Sequence, residues 1–223
     1  MKEYLVIEKN LTPDIDEIYR LIDQYGEWVD GSVSFSGGDH IKKNNQIHFN
    51  NSNCIGKLSD IVYDRMDTHK SFHNFTAAKS SESPLITRTS VGGYYRPHHD
   101  FPENGDYSTT IFLNDDYEGG ELCLWINDEE KKFKPSAGTS VTYKTGTPHR
   151  VNEVTKGHRD VIVFWTYSRI KDPFMMEIYQ ELTHALEYVY VDCSPHQTLY
   201  DSADCPHFII QSLINSILRK STN

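Results

Sequence analysis

The sequence predicts an α+β fold in which helices flank a β-sandwich or barrel. Three observations predict it. Apolar residues recur at helical spacing over the first third of the chain. From Pro84 onward the chain breaks into short β-rich runs separated by Gly, Asn, Asp and Pro. Beyond about residue 171 the helical pattern returns. Helices and strands that segregate along a chain point to α+β, and many short strands with turn signals point to a sandwich or barrel.

In chain order, Thr12-Pro13 reads first, as an N-cap with proline at the first helical position. Ile15, Ile18, Leu21, Ile22 and Tyr25 then share a helical face. A second helix is expected from Ile55 to Phe75, with Ile55, Leu58, Val62 and Met66 on one side. Strands are expected at Leu85–Val91, Tyr107–Leu113, Glu121–Ile126, Thr139–Lys144, His149–Val154 and Arg159–Tyr167. Asn127-Asp128-Glu129-Glu130-Lys131-Lys132 reads as a solvated hairpin tip. A helix is expected over Asp172–Leu186, and Ile209, Ile210, Leu213, Ile214 and Leu218 suggest one more. This divides the chain into a support region over 1–84, a β core over 85–170 and a helical extension over 171–223, all in one structural domain.

Composition narrows the function classes. The 223 residues include 14 Tyr, 10 Phe and 3 Trp, too many aromatics for a disordered chain. Net charge is −10, and no cluster of Lys and Arg is longer than a pair, which disfavours nucleic acid and anionic membrane as partners. No apolar run approaches the ~18 residues of a transmembrane helix. The apolar stretch near the N-terminus is too short for a signal peptide. A soluble, cytoplasmic protein is therefore expected. The four cysteines form no C-x-x-C, and the 11 histidines hint at metal chemistry.

In His98-His99-Asp100, an extended backbone places His98 and Asp100 on one face and turns His99 away. An imidazole and a carboxylate on one face are two parts of a 2-His-1-carboxylate triad, which leaves positions open on Fe(II). The motif alone is weak, because His158-Arg159-Asp160 repeats it. The chain downstream of each motif distinguishes the two. A β-rich block and then His149 come after the first, with Arg159 ten residues further on. A largely helical stretch comes after the second.

The segment from about Thr87 to Ser168 resembles the Fe(II)/2-oxoglutarate dioxygenases. Within them it is most similar to the prolyl hydroxylase branch and to bacterial PKHD-type hydroxylases. The resemblance rests on Gly92-x-x-Tyr95-x-x-His98-x-Asp100, Phe112-Leu113-Asn114, Tyr117-Glu118-Gly119-Gly120-Glu121-Leu122, Ala137-Gly138, His149-x-Val151, Val154-Thr155-x-Gly157-x-Arg159 and Trp165, with Lys43-Asn44-Asn45-Gln46 upstream. It implies a double-stranded β-helix (jelly-roll, cupin-like) core with flanking N-terminal and C-terminal helices.

It also implies roles. His98, Asp100 and His149 would bind iron. Arg159 would pair with the distal carboxylate of 2-oxoglutarate, since a guanidinium meets a carboxylate bidentately and is always charged. Tyr95 and Trp165 would face the substrate. Many relatives carry Tyr where this chain has Thr89, and some carry Ser where it has Val161. Both departures concern secondary contacts to 2-oxoglutarate and leave the iron ligands intact. Asp100 disfavours the related halogenases, which lack this carboxylate. The implied reaction uses Fe(II), 2-oxoglutarate and O2, with ascorbate as reductant. It hydroxylates an unactivated C–H bond of a prolyl or lysyl residue in a peptide or protein and releases succinate and CO2.

Other readings stay open at this level. The substrate is a free amino acid or another small molecule in one of them. In another the barrel is a sensor that binds metal and ligand without turnover, and in a third it is a cupin-like barrel using zinc. Cys193, His196, Cys205 and His207 form a second constellation in the tail, readable as a zinc site, a Cys193–Cys205 disulfide or unlinked loop residues. The sequence leaves the oligomeric state open.

Overall fold

A computed structural model describes residues 3–34, 41–48, 50–193 and 206–221. They fall into two compact units, one drawn from 2–69 and 80–167, the other from 70–79 and 168–223. Along the chain the strands are β1 (Tyr4–Ile7), β2 (Trp28–Asp30), β3 (Lys42–Lys43), β4 (Asn45–Ile47), β5 (Ala78–Ser81), β6 (Leu85–Ser90), β7 (Tyr94–His98) and β8 (Tyr107–Phe112). They continue with β9 (Glu118–Gly119), β10 (Leu122–Ile126), β11 (Glu129–Phe133), β12 (Ser140–Lys144), β13 (His149–Val151), β14 (Val154–Lys156) and β15 (His158–Ser168). The helices are α1 (Ile15–Tyr25), α2 (Ser52–Asp67), α3 (Lys70–Thr76), α4 (Pro173–Cys193) and α5 (Pro206–Lys220).

The larger unit is the expected jelly-roll. One antiparallel sheet runs β1-β12-β8-β15-β6-β4-β2 and the other β11-β10-β13-β7-β3. Phe112, Val141, Tyr143 and Val161 of the first pack against Leu122, Leu124 and Ile126 of the second. Strand alternation builds this core, because successive side chains point to opposite faces. β15 shows the rule along its length. Arg159, Val161, Val163 and Trp165 line a cavity between the sheets. Asp160, Ile162, Phe164 and Thr166 are buried on the other face. There, Tyr63 of α2 meets Phe164 edge-on at 5.9 Å, and Tyr19 of α1 donates to Asp160.

The helix starts are explained locally. Thr12 is not the expected N-cap: Thr12-Pro13 opens a 3-10 turn that has no side-chain cap and leads into α1, whose Ile18, Leu21 and Ile22 are buried. Asn51 caps α2 by accepting from the Cys54 N–H at 3.1 Å. The single helix expected over 55–75 is two. The Thr68 hydroxyl donates to the Asp64 and Arg65 carbonyls, and His69 N–H bonds Met66 O in a tighter turn, so α2 ends before α3 begins.

Two other expectations are corrected. The strand expected over His149–Val154 is two strands in different sheets, β13 and β14. The charged run 127–132 is a tip only at Asn127 and Asp128, whose φ angles of 51° and 63° suit a two-residue hairpin turn. Glu129 and the residues after it form β11 against β10. Gly119 and Gly120 have φ of 71° and 67°, in the left-handed region that favours glycine.

In the smaller unit, Phe72 and Phe75 of α3 are buried, as are Met176, Tyr179 and Leu186 of α4. Tyr179 Oη and Gln180 Nε2 donate to the His73 and Phe75 carbonyls. The expected final helix is α5. It buries Ile214 and Ile217 and leaves Ile209 and Leu213 exposed. Among the tail residues, His196, Cys205 and the Cys193 side chain lie outside the described residues. Among those residues, no helix is long and apolar enough to cross a membrane.

Candidate metal centre and cosubstrate cavity

β7 and β13 pair so that His98 and His149 stand opposite each other. That register explains a motif whose halves lie about fifty residues apart. The imidazole centroids are 4.1 Å apart. Asp100, two residues past the end of β7, completes the group. The candidate ligand atoms of His98, Asp100 and His149 all lie within 4.8 Å of one another. His98 Nε2 and His149 Nε2 are 3.8 Å and 3.9 Å from Asp100 Oδ1. His99 is exposed, as alternation predicts.

The remaining donor atoms of the trio are already engaged. His98 Nδ1 lies 2.8 Å from Arg96 O, and His149 Nδ1 lies 2.9 Å from Thr147 O. A carbonyl accepts only from a protonated nitrogen, so in the neutral form of each ring the lone pair is on Nε2. Asp100 Oδ2 accepts from Ser108 Oγ at 2.8 Å and Trp165 Nε1 at 3.0 Å, which aims Oδ1 at the histidines. Partners of this kind orient metal ligands and set their tautomers. Burial, then the neighbouring His149, pull His98 down to about 4, so its imidazole is neutral at physiological pH. Two imidazoles and a carboxylate fit Fe(II).

The trio opens into a cavity of about 590 Å³. Arg159 lies in its wall, 3 % exposed, with its guanidinium 5.1 Å from the Phe112 ring centroid and beside Tyr117. Its Nε has no hydrogen-bond partner. A buried cation in this state calls for an anion. Gly120 makes room for it, because a Cβ there would stand 3.2 Å from Arg159 Cδ. Thr89 and Val161, the two departures, also line the cavity.

The remaining expected residues sit around the trio. Tyr95 stacks on His98 at 3.6 Å between centroids, and both Tyr95 and Trp165 line the cavity. The rival pair, His158 and Asp160, is engaged elsewhere. Asp160 accepts a fork from Arg88 at 2.8 Å and 2.7 Å, plus the Tyr19 hydroxyl.

Sequence reasoning missed Ser108, which carries no pattern of its own. It also missed Lys42, whose neighbour Lys43 makes the pair look like solvated charge. Lys42 is 6 % exposed and lies 5.3 Å from the Tyr95 centroid. Burial pulls its ammonium down to about 8.

Comparison with known proteins agrees with this geometry. The family model described as 2OG-Fe(II) oxygenase superfamily matches residues 84–167. A PKHD-type hydroxylase of Picosynechococcus sp. is 34% identical over 185 residues, covering 80% of this chain and 84% of its own. One from Gloeothece citriformis is 31% identical over 219 residues, covering 94% and 95%. Among solved structures, a prolyl hydroxylase from Trichoplax adhaerens, in complex with a hypoxia inducible factor oxygen degradation domain peptide fragment, shares the fold. Its TM-score is 0.59 at 17% identity, over 81% of this chain and 86% of that one.

Proposed function

The chain belongs to the PKHD-type hydroxylases of the 2OG-Fe(II) oxygenase superfamily, and on that premise we propose that it hydroxylates a C–H bond of a prolyl or lysyl residue in a peptide or protein, with conversion of 2-oxoglutarate to succinate and CO2. Enzymes of this family use Fe(II), 2-oxoglutarate and O2. Together, these supply the oxidising chemistry, and the protein binds, orients and shields.

In this reading His98 Nε2, Asp100 Oδ1 and His149 Nε2 hold the iron. Arg159 receives the distal carboxylate of 2-oxoglutarate, and the Phe112 ring beneath its guanidinium keeps water from that ion pair. Leu122, Val151 and Val161 contribute apolar surface to the same cavity wall. Tyr95 and Trp165 present rings to the substrate. Ascorbate serves as the reductant that sustains turnover. The peptide held by the Trichoplax adhaerens enzyme in the same fold supports a peptide substrate here.

One observation carries the proposal. The only uncommitted donor atoms of His98, Asp100 and His149 converge on a cavity whose wall holds the buried, partner-seeking Arg159. Anaerobic addition of Fe(II) and 2-oxoglutarate to the metal-free protein tests it. A visible charge-transfer band is expected. His149→Ala should abolish it, and Arg159→Ala should demand far more 2-oxoglutarate. Absence of the band in folded wild-type protein would overturn the proposal.

A further inference from the structure

The cavity has a second buried cation that the reaction above leaves unused. Lys42 sits on β3, at the edge of the smaller sheet, in register with Tyr95 of β7. Its Nζ donates to Ser34 Oγ at 3.0 Å and to Gln46 Oε1 at 3.4 Å. Among the described residues no carboxylate lies within ion-pair distance of it. Gln46, on β4 of the larger sheet, is fully buried and lines the same cavity. Its Oε1 accepts from Ser34 Oγ at 2.7 Å, yet its Nε2 has no hydrogen-bond partner.

This leaves donors without acceptors. Lys42 has three N–H donors and two acceptors, both neutral. Gln46 adds an amide N–H with none. A buried ammonium and a buried amide left in this state cost free energy until an acceptor arrives. A carboxylate answers both, taking a charge-assisted bond from Lys42 and a second bond from Gln46.

That carboxylate is distinct from the one assigned to Arg159. The two cations have different neighbours. Arg159, on β15, packs against Phe112 and Tyr117. Lys42 packs against Tyr95, Ser34 and Gln46. In the larger sheet β6 separates β15 from β4, the strand of Gln46. Tyr95 bridges the second cation to the metal trio, since its ring also stacks on His98.

We propose that Lys42 and Gln46 form a carboxylate-binding subsite for the oxidised substrate, so that the substrate carries an anionic carboxylate close to the carbon that reacts. The proposal rests on the oxygenase reading above and narrows its substrate class. The carboxylate comes either from a free amino or imino acid or from an acidic residue next to the target residue in a peptide.

The test uses matched pairs on the full chain. L-proline and L-lysine are compared with their amides. Acetylated peptides Ala-Pro-Glu and Ala-Lys-Glu are compared with Ala-Pro-Gln and Ala-Lys-Gln, all amidated at the C-terminus. Succinate formation reads turnover. Calorimetry on protein loaded with Mn(II) and 2-oxoglutarate reads binding without turnover. At least one carboxylate member is expected to bind and stimulate about tenfold more strongly than its amide, and the pair type that discriminates identifies the source. Lys42→Met should erase the discrimination, Lys42→Arg should restore part of it, and the 2-oxoglutarate requirement of the anaerobic band should not move in either.

Four outcomes would overturn the proposal while leaving the oxygenase reading intact. Amides match their carboxylates, or no carboxylate member binds although the anaerobic band forms. Discrimination survives Lys42→Met. The 2-oxoglutarate requirement rises in Lys42→Met as it does in Arg159→Ala, which would assign Lys42 to the cosubstrate. Failure of the band in the wild type would remove the oxygenase reading itself.

Discussion

Trp165 donates its indole N–H to Asp100 Oδ2 at 3.0 Å, across 65 residues of sequence. The bond makes the tryptophan a positioning residue for the carboxylate as well as part of the cavity wall. Ser108 makes the second bond to the same oxygen. With both in place, Asp100 Oδ1 is the carboxylate atom left facing the histidines.

Trp165→Phe keeps the ring and removes the donor. Fe(II) affinity is expected to fall about 10–100-fold, the usual cost of losing a partner behind a metal ligand. Ser108→Ala should act in the same direction, and the double variant should lose more than either alone. Anaerobic titration with Fe(II), read by the 2-oxoglutarate charge-transfer band, measures this. Unchanged affinity in the double variant would deny both residues a positioning role.

Arg159→Ala should raise the 2-oxoglutarate concentration for half-saturation at least about 30-fold, corresponding to about 2 kcal/mol for one partner of a buried charge pair. Arg159→Lys should recover little, because an ammonium cannot offer the planar fork. Saturation of the anaerobic band checks both. A variant with wild-type saturation would move the cosubstrate anchor elsewhere.

Asp160→Ala separates the two H-x-D motifs. The carboxylate is buried and takes a fork from Arg88, a third of whose side chain is exposed. Stability should fall by about 1.5–3 kcal/mol, the range for hydrogen bonds to charged groups. Fe(II) stoichiometry should stay that of the wild type. Denaturant unfolding and metal titration read the two effects. Lost iron with unchanged stability would favour the second motif as the metal site.

The pH dependence of the metal-free protein has a definite sign. Burial and His149 depress His98 from its ordinary value of 6.5 to about 4 in the folded state. Between those values the unfolded chain binds a proton that the folded chain refuses. Stability should therefore fall as pH drops from about 6.5 to about 4 and level off below, as far as His98 governs it. His98→Gln should flatten that part of the profile. A profile with the same slope in the variant would assign the effect to other groups.

Much of the site was legible in the sequence because strand geometry is local. A period of two is enough to put His98 and Asp100 together, to turn His99 outward and to place Arg159 and Trp165 on the cavity face of β15. Helical spacing likewise identified the buried faces of α1 and α2. Other features depended on which strands became neighbours. The choice between the two H-x-D motifs became physical only when β7 met β13 and Arg88 of β6 met Asp160 of β15. Ser108 became a partner of Asp100, and Lys42 a wall of the cavity, through pairings across the sheets that no spacing announces. The helix break at Thr68 turned on side-chain bonds to the preceding turn, which compete with a pattern that otherwise continues. The sequence by itself determined an α+β fold with a β-sandwich or barrel core, since periodicity is a property of the chain, and its ordered motifs carried the resemblance that implied the jelly-roll and the candidate metal and Arg159 positions. Only the tertiary structure decided which carboxylate is free, which cations are buried and which polar atoms lack partners, because burial and hydrogen-bond satisfaction arise from contacts between segments far apart in the chain.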